Sequence, residues 1–75
     1  MSKLSRISGR EMVKLLQRLG FDVARVRGSH YFMEHGNQRT TVPVHGNRDL
    51  KIGTLRKILR DVGITPTEFE RLWKL

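Results

Sequence analysis

Apolar residues in this chain recur at two different spacings, and the change from one to the other divides it into elements. Met12, Leu15, Leu16 and Leu19 fall at i, i+3, i+4 and i+7, one stripe of an amphipathic helix. Ser8 stands three residues ahead of Glu11, the spacing of a capping box, so the helix is expected to start there. Gly20 is the expected left-handed stop, with Phe21 folding back on Leu16. The period then shortens. Three strands are expected over residues 22–27, 30–35 and 39–44, separated by the two-residue turns Gly28-Ser29 and Gly36-Asn37. Turns this short make an antiparallel meander. Pro43 has no N–H for a ladder, which places it at a strand end or on an edge.

After a loop over residues 45–51 the helical spacing returns in Ile52, Leu55, Ile58, Leu59 and Val62. Gly63 closes this helix as Gly20 closes the first, and Ile64 is placed to touch Leu59. Thr65, Pro66 and Glu68 supply an N-cap, a first-turn proline and a capping-box carboxylate for a short third helix whose apolar side is Phe69, Leu72 and Trp73. The order α-β-β-β-α with a terminal helical turn makes an α+β fold, helices on one sheet face and the other face open. Residues 1–75 are expected to form a single domain, with no linker, repeat or low-complexity segment.

Charge changes the picture most. Fifteen Lys and Arg against seven Asp and Glu leave a formal charge of +8. Such an imbalance repels itself in a compact chain and calls for a polyanionic partner. Nucleic acid comes first, with an anionic membrane surface or an acidic protein as the other readings. No helix pairs a Lys-rich face with bulky aromatics, which weakens the membrane reading. No apolar run reaches the length of a membrane span or a signal peptide, and there is no cysteine for a disulfide or thiolate site. These features fit a cytoplasmic protein.

Few residues offer chemistry. There is no phosphate-binding glycine loop and no zinc-protease motif. Ser29 and His30 are adjacent on the chain, but strand neighbours point to opposite faces, so adjacency alone makes no dyad. His30 and His35 are an odd number apart, which argues against a metal site built from His30, His35 and His45. Phosphodiester chemistry asks for less. RNA carries its own nucleophile, the 2′-OH, so the protein need supply only a proton acceptor, a proton donor and charge stabilisation. Histidine titrates near neutrality and serves either role. His30 has Arg25 and Arg27 before the turn and Arg39 on the strand expected to pair with its own. The competing reading is an exposed strand histidine that meets only solvent or phosphate.

Other residues divide between site and scaffold. One of Tyr31 and Phe32 is expected to pack in the core, and Phe32 shares a face with His30. Trp73 reads as a core or interface anchor. Arg56, Lys57 and Arg60 on the second helix either contact phosphates or form a solvated face. Gly53 and Thr54 offer backbone N–H groups at its start, and the plain reading of His45, which follows a strand, is that it ends it.

The segments "SGREMVKLLQRLGF", "RVRGSHYFM", "TVPVHG" and "LKIGTLRKILRDVGIT", in this order and spacing, resemble the HicA family of mRNA interferase toxins over about residues 8–65. The resemblance implies a fold like a double-stranded-RNA-binding domain, ribosome-independent cleavage of mRNA, growth arrest, and neutralisation by a HicB antitoxin; no metal or cofactor is expected, because the nucleophile is built into the RNA. It implies that His30, of the Gly-Ser-His motif, is catalytic. His45 matches a recurrent position to which no catalytic role is carried. Arg25, Arg27, Ser29, Arg39 and Lys57 are the expected RNA contacts, with no membrane and no small-molecule ligand involved. The alternative function is a non-catalytic RNA-binding module of the same shape.

Overall fold

The computed structural model describes residues 4–74; residues 1–3 and Leu75, which belong to the expected single domain, lie outside the described residues. The elements are α1 (Gly9–Arg18), β1 (Asp22–Arg27), β2 (His30–His35), β3 (Gln38–Pro43), α2 (Ile52–Val62) and α3 (Pro66–Trp73). The strands form one antiparallel sheet in the order β1-β2-β3, with β2 central. This is the expected α+β arrangement.

The helix ends follow the local signals. The Ser8 hydroxyl accepts from the Glu11 N–H at 3.1 Å, and the Glu11 carboxylate accepts from the Ser8 N–H at 3.0 Å. That backbone hydrogen bond from Ser8 holds the Glu11 carboxyl below its ordinary pKa. At the other end Gly20, at φ 99°, lets the chain reverse, so that the Phe21 N–H reaches the Leu16 carbonyl at 2.9 Å. The Ile64 N–H bonds the Leu59 carbonyl at 2.9 Å in the same way. Thr65 and Glu68 form the second capping box, at the head of α3.

Residues opposite one another in the ladder point to the same side of the sheet. Met33, fully buried, faces the helices together with Tyr31 and His35. His30, Phe32 and Glu34 therefore face away from them. On β1 the register shifts between Val23 and Arg25, so that Val23 pairs with Met33 and Val26 with Tyr31. Ala24 is the extra residue of a β-bulge, and it resolves a conflict in the sequence: two valines three apart do not share a face of a regular strand. The bulge turns both toward the helix side and leaves Arg25 and Arg27 together on the open face.

Met12, Leu15, Leu16, Phe21, Met33, Val42, Leu55, Ile58, Leu59 and Phe69 lie within one buried cluster. Tyr31 and Trp73 pack against its edge. Ile52, expected on the α2 stripe, is 46% exposed. It heads the helix where β3 has already ended at Pro43. The third strand begins and ends one residue earlier than expected, at Gln38 and Pro43, although the Val44 N–H still bonds the Ser29 carbonyl at 2.7 Å.

Two polar contacts hold α2 against β3. Thr40, nearly buried, donates its hydroxyl to Asp61 Oδ2 at 2.9 Å, and the Gln38 side-chain amide donates to the Val62 carbonyl at 2.8 Å. The segment before α1 is also ordered by long-range contacts. The Leu50 N–H bonds the Ile7 carbonyl at 2.8 Å, and Ser5 bonds Glu70 of α3 through both its N–H and its hydroxyl. The side-chain and backbone bonds from Ser5 hold the Glu70 carboxyl below its ordinary value. Among the described residues no helix is long and apolar enough to cross a membrane.

Candidate functional site

The open face of the sheet gathers most of the residues singled out for chemistry. His30 opens β2 directly after the Gly28-Ser29 turn, across from Arg27 on β1 and Pro43 on β3. Gly28 has φ 58°, while no residue other than glycine has positive φ among those described. A turn with positive φ only at its first central residue is the II′ kind that suits the twist of a two-residue hairpin. The turn closes on the Arg27 and His30 pair and so places imidazole and guanidinium side by side at the sheet's end. His30 is exposed, and Ser29, half-buried, spends its carbonyl on Val44.

One step further along, Arg25 pairs with Phe32, and its guanidinium carbon lies 4.8 Å from the ring centroid. This cation–π contact seats the arginine over the Phe32 ring on the open face. Of the two adjacent aromatics, Tyr31 packs toward the core and Phe32 faces outward on the same side as His30.

Arg39 stands, as expected, on the strand that pairs with that of His30. Its own partner is Glu34, and its Nε sits 3.8 Å from Glu34 Oε2 in an exposed ion pair. Four strand residues, about 13 Å at the usual rise, separate that row from His30. Arg39 therefore belongs to the far end of the face. Lys57 reaches the face from α2, held by Asp61 at 2.9 Å. Arg25, Phe32, Arg39, Thr41, Lys57 and Asp61 border one open depression of about 570 Å³. The structure thus forms two zones: a turn end with His30, Arg27 and Ser29, and a basic track leading from it past Arg25 to Arg39 and Lys57.

His35 is on the opposite side, its ring 5.2 Å from that of Phe21 and close over Gly20. Its neighbours assign it to packing. Among the described residues no three His, Cys, Asp or Glu side chains come close enough to hold a metal ion. Sequence reasoning did not identify the acidic partners of the track, Glu34 and Asp61. Their positions opposite Arg39 and one helical turn after Lys57 are the signals that carry them.

A family model describing the HicA toxin of bacterial toxin–antitoxin systems matches residues 9–64. The chain belongs to the HicA toxin family. The match runs from the start of α1 through the sheet to the end of α2, and so contains the whole open face. HicA toxins generally cleave RNA, and family membership implies an RNA substrate and an antitoxin partner. No curated protein matches the chain in sequence.

The HicA face makes a measurable electrostatic demand. Arg25 and Arg27 have no ion-pair partner among the described residues, whereas Arg39 and Lys57 each have one. RNA affinity is therefore expected to fall with salt along a log–log slope of roughly −2 to −3, the value for about three or four phosphate contacts on a single strand. Arg25→Ala or Arg27→Ala is expected to flatten that slope more than Arg39→Ala. A nearly flat plot for the unaltered protein in a filter-binding titration rules out a phosphate-dominated mode.

Proposed function

We propose that this HicA-family chain is a metal-independent endoribonuclease that cuts mRNA in the cytoplasm without the ribosome, using His30 as its catalytic residue and no cofactor. The observation that carries the proposal is the placement of His30: exposed, on the open sheet face, beside Arg27 and at the end of a basic track. RNA lies along the face with its phosphates near Arg25, Arg27, Ser29, Arg39 and Lys57. At the scissile position the 2′-oxygen attacks phosphorus and the bond to the 5′-oxygen breaks. His30 takes the 2′-OH proton, and the Arg27 guanidinium offsets charge on the phosphorane. The products are a 2′,3′-cyclic phosphate and a 5′-hydroxyl. Cutting of mRNA arrests growth, and a HicB-type antitoxin neutralises the toxin by covering His30.

The test is a defined RNA in two forms, natural and with a single 2′-deoxy substitution at the cleavage position, each incubated with chelator. The natural strand is expected to be cut to the stated ends and the deoxy strand to resist. Equal cutting of both would remove the internal nucleophile from the mechanism. Binding without cutting of any RNA would make the chain a non-catalytic RNA-binding module. In the same assay a HicB-type antitoxin is expected to stop cutting, and a stable complex that still cuts the RNA contradicts masking of His30.

A further inference from the structure

The reaction moves two protons, one off the 2′-OH and one onto the departing 5′-oxygen, and His30 accounts for the first. The strand register points to a source for the second. His30 lies opposite Pro43 on β3, and the Val44 N–H bonds the Ser29 carbonyl at 2.7 Å, so pairing runs one residue past the strand's end. Continued one step more, this antiparallel register sets His45 on the diagonal from His30 and on the same sheet face as Pro43. Diagonal positions of this kind are about 7–8 Å apart at the backbone, within reach of each other's long side chains.

The surroundings of His45 favour an RNA backbone there. It is exposed and, with Pro43, borders a depression of about 260 Å³ whose rim includes Arg48, Asp49, Lys51 and Thr54. Two cations and a hydroxyl suit a phosphodiester strand leaving the cleavage point. This depression continues the basic track: Thr41 and Lys57 border the first depression, and Pro43 and Thr54, the next residues along β3 and α2 in the direction of His30, border the second.

The other titratable or polar groups are less suited. The Arg27 guanidinium stays charged and transfers no proton. Tyr31 and His35 are on the helix side of the sheet, His35 against Phe21. Glu34 is four residues down the strand and paired with Arg39. By the continued register, His45 is the further imidazole on the face of His30.

We infer that His45 is the second catalytic residue of this site, the proton donor to the 5′-oxygen, and that its depression holds the strand on the leaving-group side. The inference rests on the proposed ribonuclease reading. In the forward step neutral His30 accepts the 2′-OH proton, the 2′-O–P bond forms, the P–O5′ bond breaks, and protonated His45 gives its proton to that oxygen. The two imidazoles end with their protonation states exchanged, and solvent restores them.

The test uses an RNA whose scissile 5′-oxygen is replaced by sulfur, a leaving group that departs without a proton. On natural RNA, His45→Ala and His45→Gln are expected to lose about 10²–10⁴-fold in rate, the usual worth of a positioned acid. On the 5′-thio RNA both are expected to cut within a few-fold of the unaltered protein, while His30→Ala stays slow on both substrates. An undiminished rate on natural RNA overturns the assignment. So does a defect that persists on the thio substrate, since it makes His45 a binding or positioning residue, and so does rescue of His30→Ala instead. An unaltered protein that cuts neither RNA overturns the ribonuclease reading itself. Matching thermal melts of the variants confirm that an exposed side chain, not the fold, has been changed.

Discussion

Replacing His30 with alanine is expected to slow RNA cleavage by about 10²–10⁴-fold, the range a positioned general base contributes, while leaving fold and RNA affinity close to unchanged. The separation of these effects follows from where the residue sits. His30 is exposed on the sheet face away from the core, and no side-chain hydrogen bond ties it to the rest of the described chain, so its loss opens no cavity and strands no buried polar group. Affinity is expected to come mainly from Arg25, Arg27, Arg39 and Lys57, which the substitution leaves in place. Its backbone pairing with Arg27 and Pro43 also survives, because alanine keeps the N–H and carbonyl. Three measurements check this: single-turnover cleavage, a binding titration and a thermal melt. Loss of cleavage accompanied by an equal loss of affinity would reassign His30 to phosphate contact. A cleavage rate within a few-fold of the unaltered protein would remove it from catalysis altogether.

The largest effect on stability is expected from Gly9→Ala. A Cβ at this first residue of α1 would lie 2.0 Å from the Pro43 carbonyl oxygen and 3.0 Å from its carbonyl carbon. Both are backbone atoms and cannot turn aside as a side chain would. Moving them disturbs the β3 end that pairs with His30, and moving α1 disturbs the bridge between Ser8 and Asp49. Overpacking typically costs about 1–3 kcal/mol and sometimes more, against a total stability of roughly 4–11 kcal/mol for a chain of this length. A melting temperature lower by about 4–24 °C is expected, given about 4–8 °C per kcal/mol in domains of this size. Gly53→Ala makes the contrast. Nothing lies within 4 Å of its added Cβ, and it stands within α2. Helix propensity then acts alone, and a gain of up to about 1 kcal/mol is expected. If both variants melt alike, the close approach of α1 to the end of β3 is not a constraint on the protein.

That contrast shows how the chain divides between local and tertiary information. Both helix starts with capping boxes were legible in Ser8-Glu11 and Thr65-Glu68, because a cap is satisfied within four residues and needs nothing from the rest of the molecule. The glycine stops after α1 and α2 and the two short hairpin turns were legible for the same reason. So was the face of His30: a meander with two-residue turns fixes the register, and the register fixes which side chains share a side. The basic charge, the Gly-Ser-His motif and the order of the four segments sufficed to place the chain near its family.

Position along the face was not legible to the same degree. Arg39 stands on the strand that pairs with that of His30, as expected, but its row opposite Glu34 was not given, because strand membership alone does not say which row of the ladder a residue occupies. The β1 bulge is invisible to a period-two pattern. It appears only in the ladder, where Val23 pairs with Met33 and Val26 with Tyr31, so that both valines turn to the helix side. Contacts between residues far apart in the chain decided the rest: Ser5 with Glu70, Ile7 with Leu50, Thr40 with Asp61, and Gly9 against Pro43. Local rules set the elements, their order and the side of the sheet on which His30 stands, since short-range hydrogen bonding and side-chain alternation act within a few residues. How the basic residues are spaced along that side came from tertiary packing, since it depends on where separate strands and helices come to rest against one core.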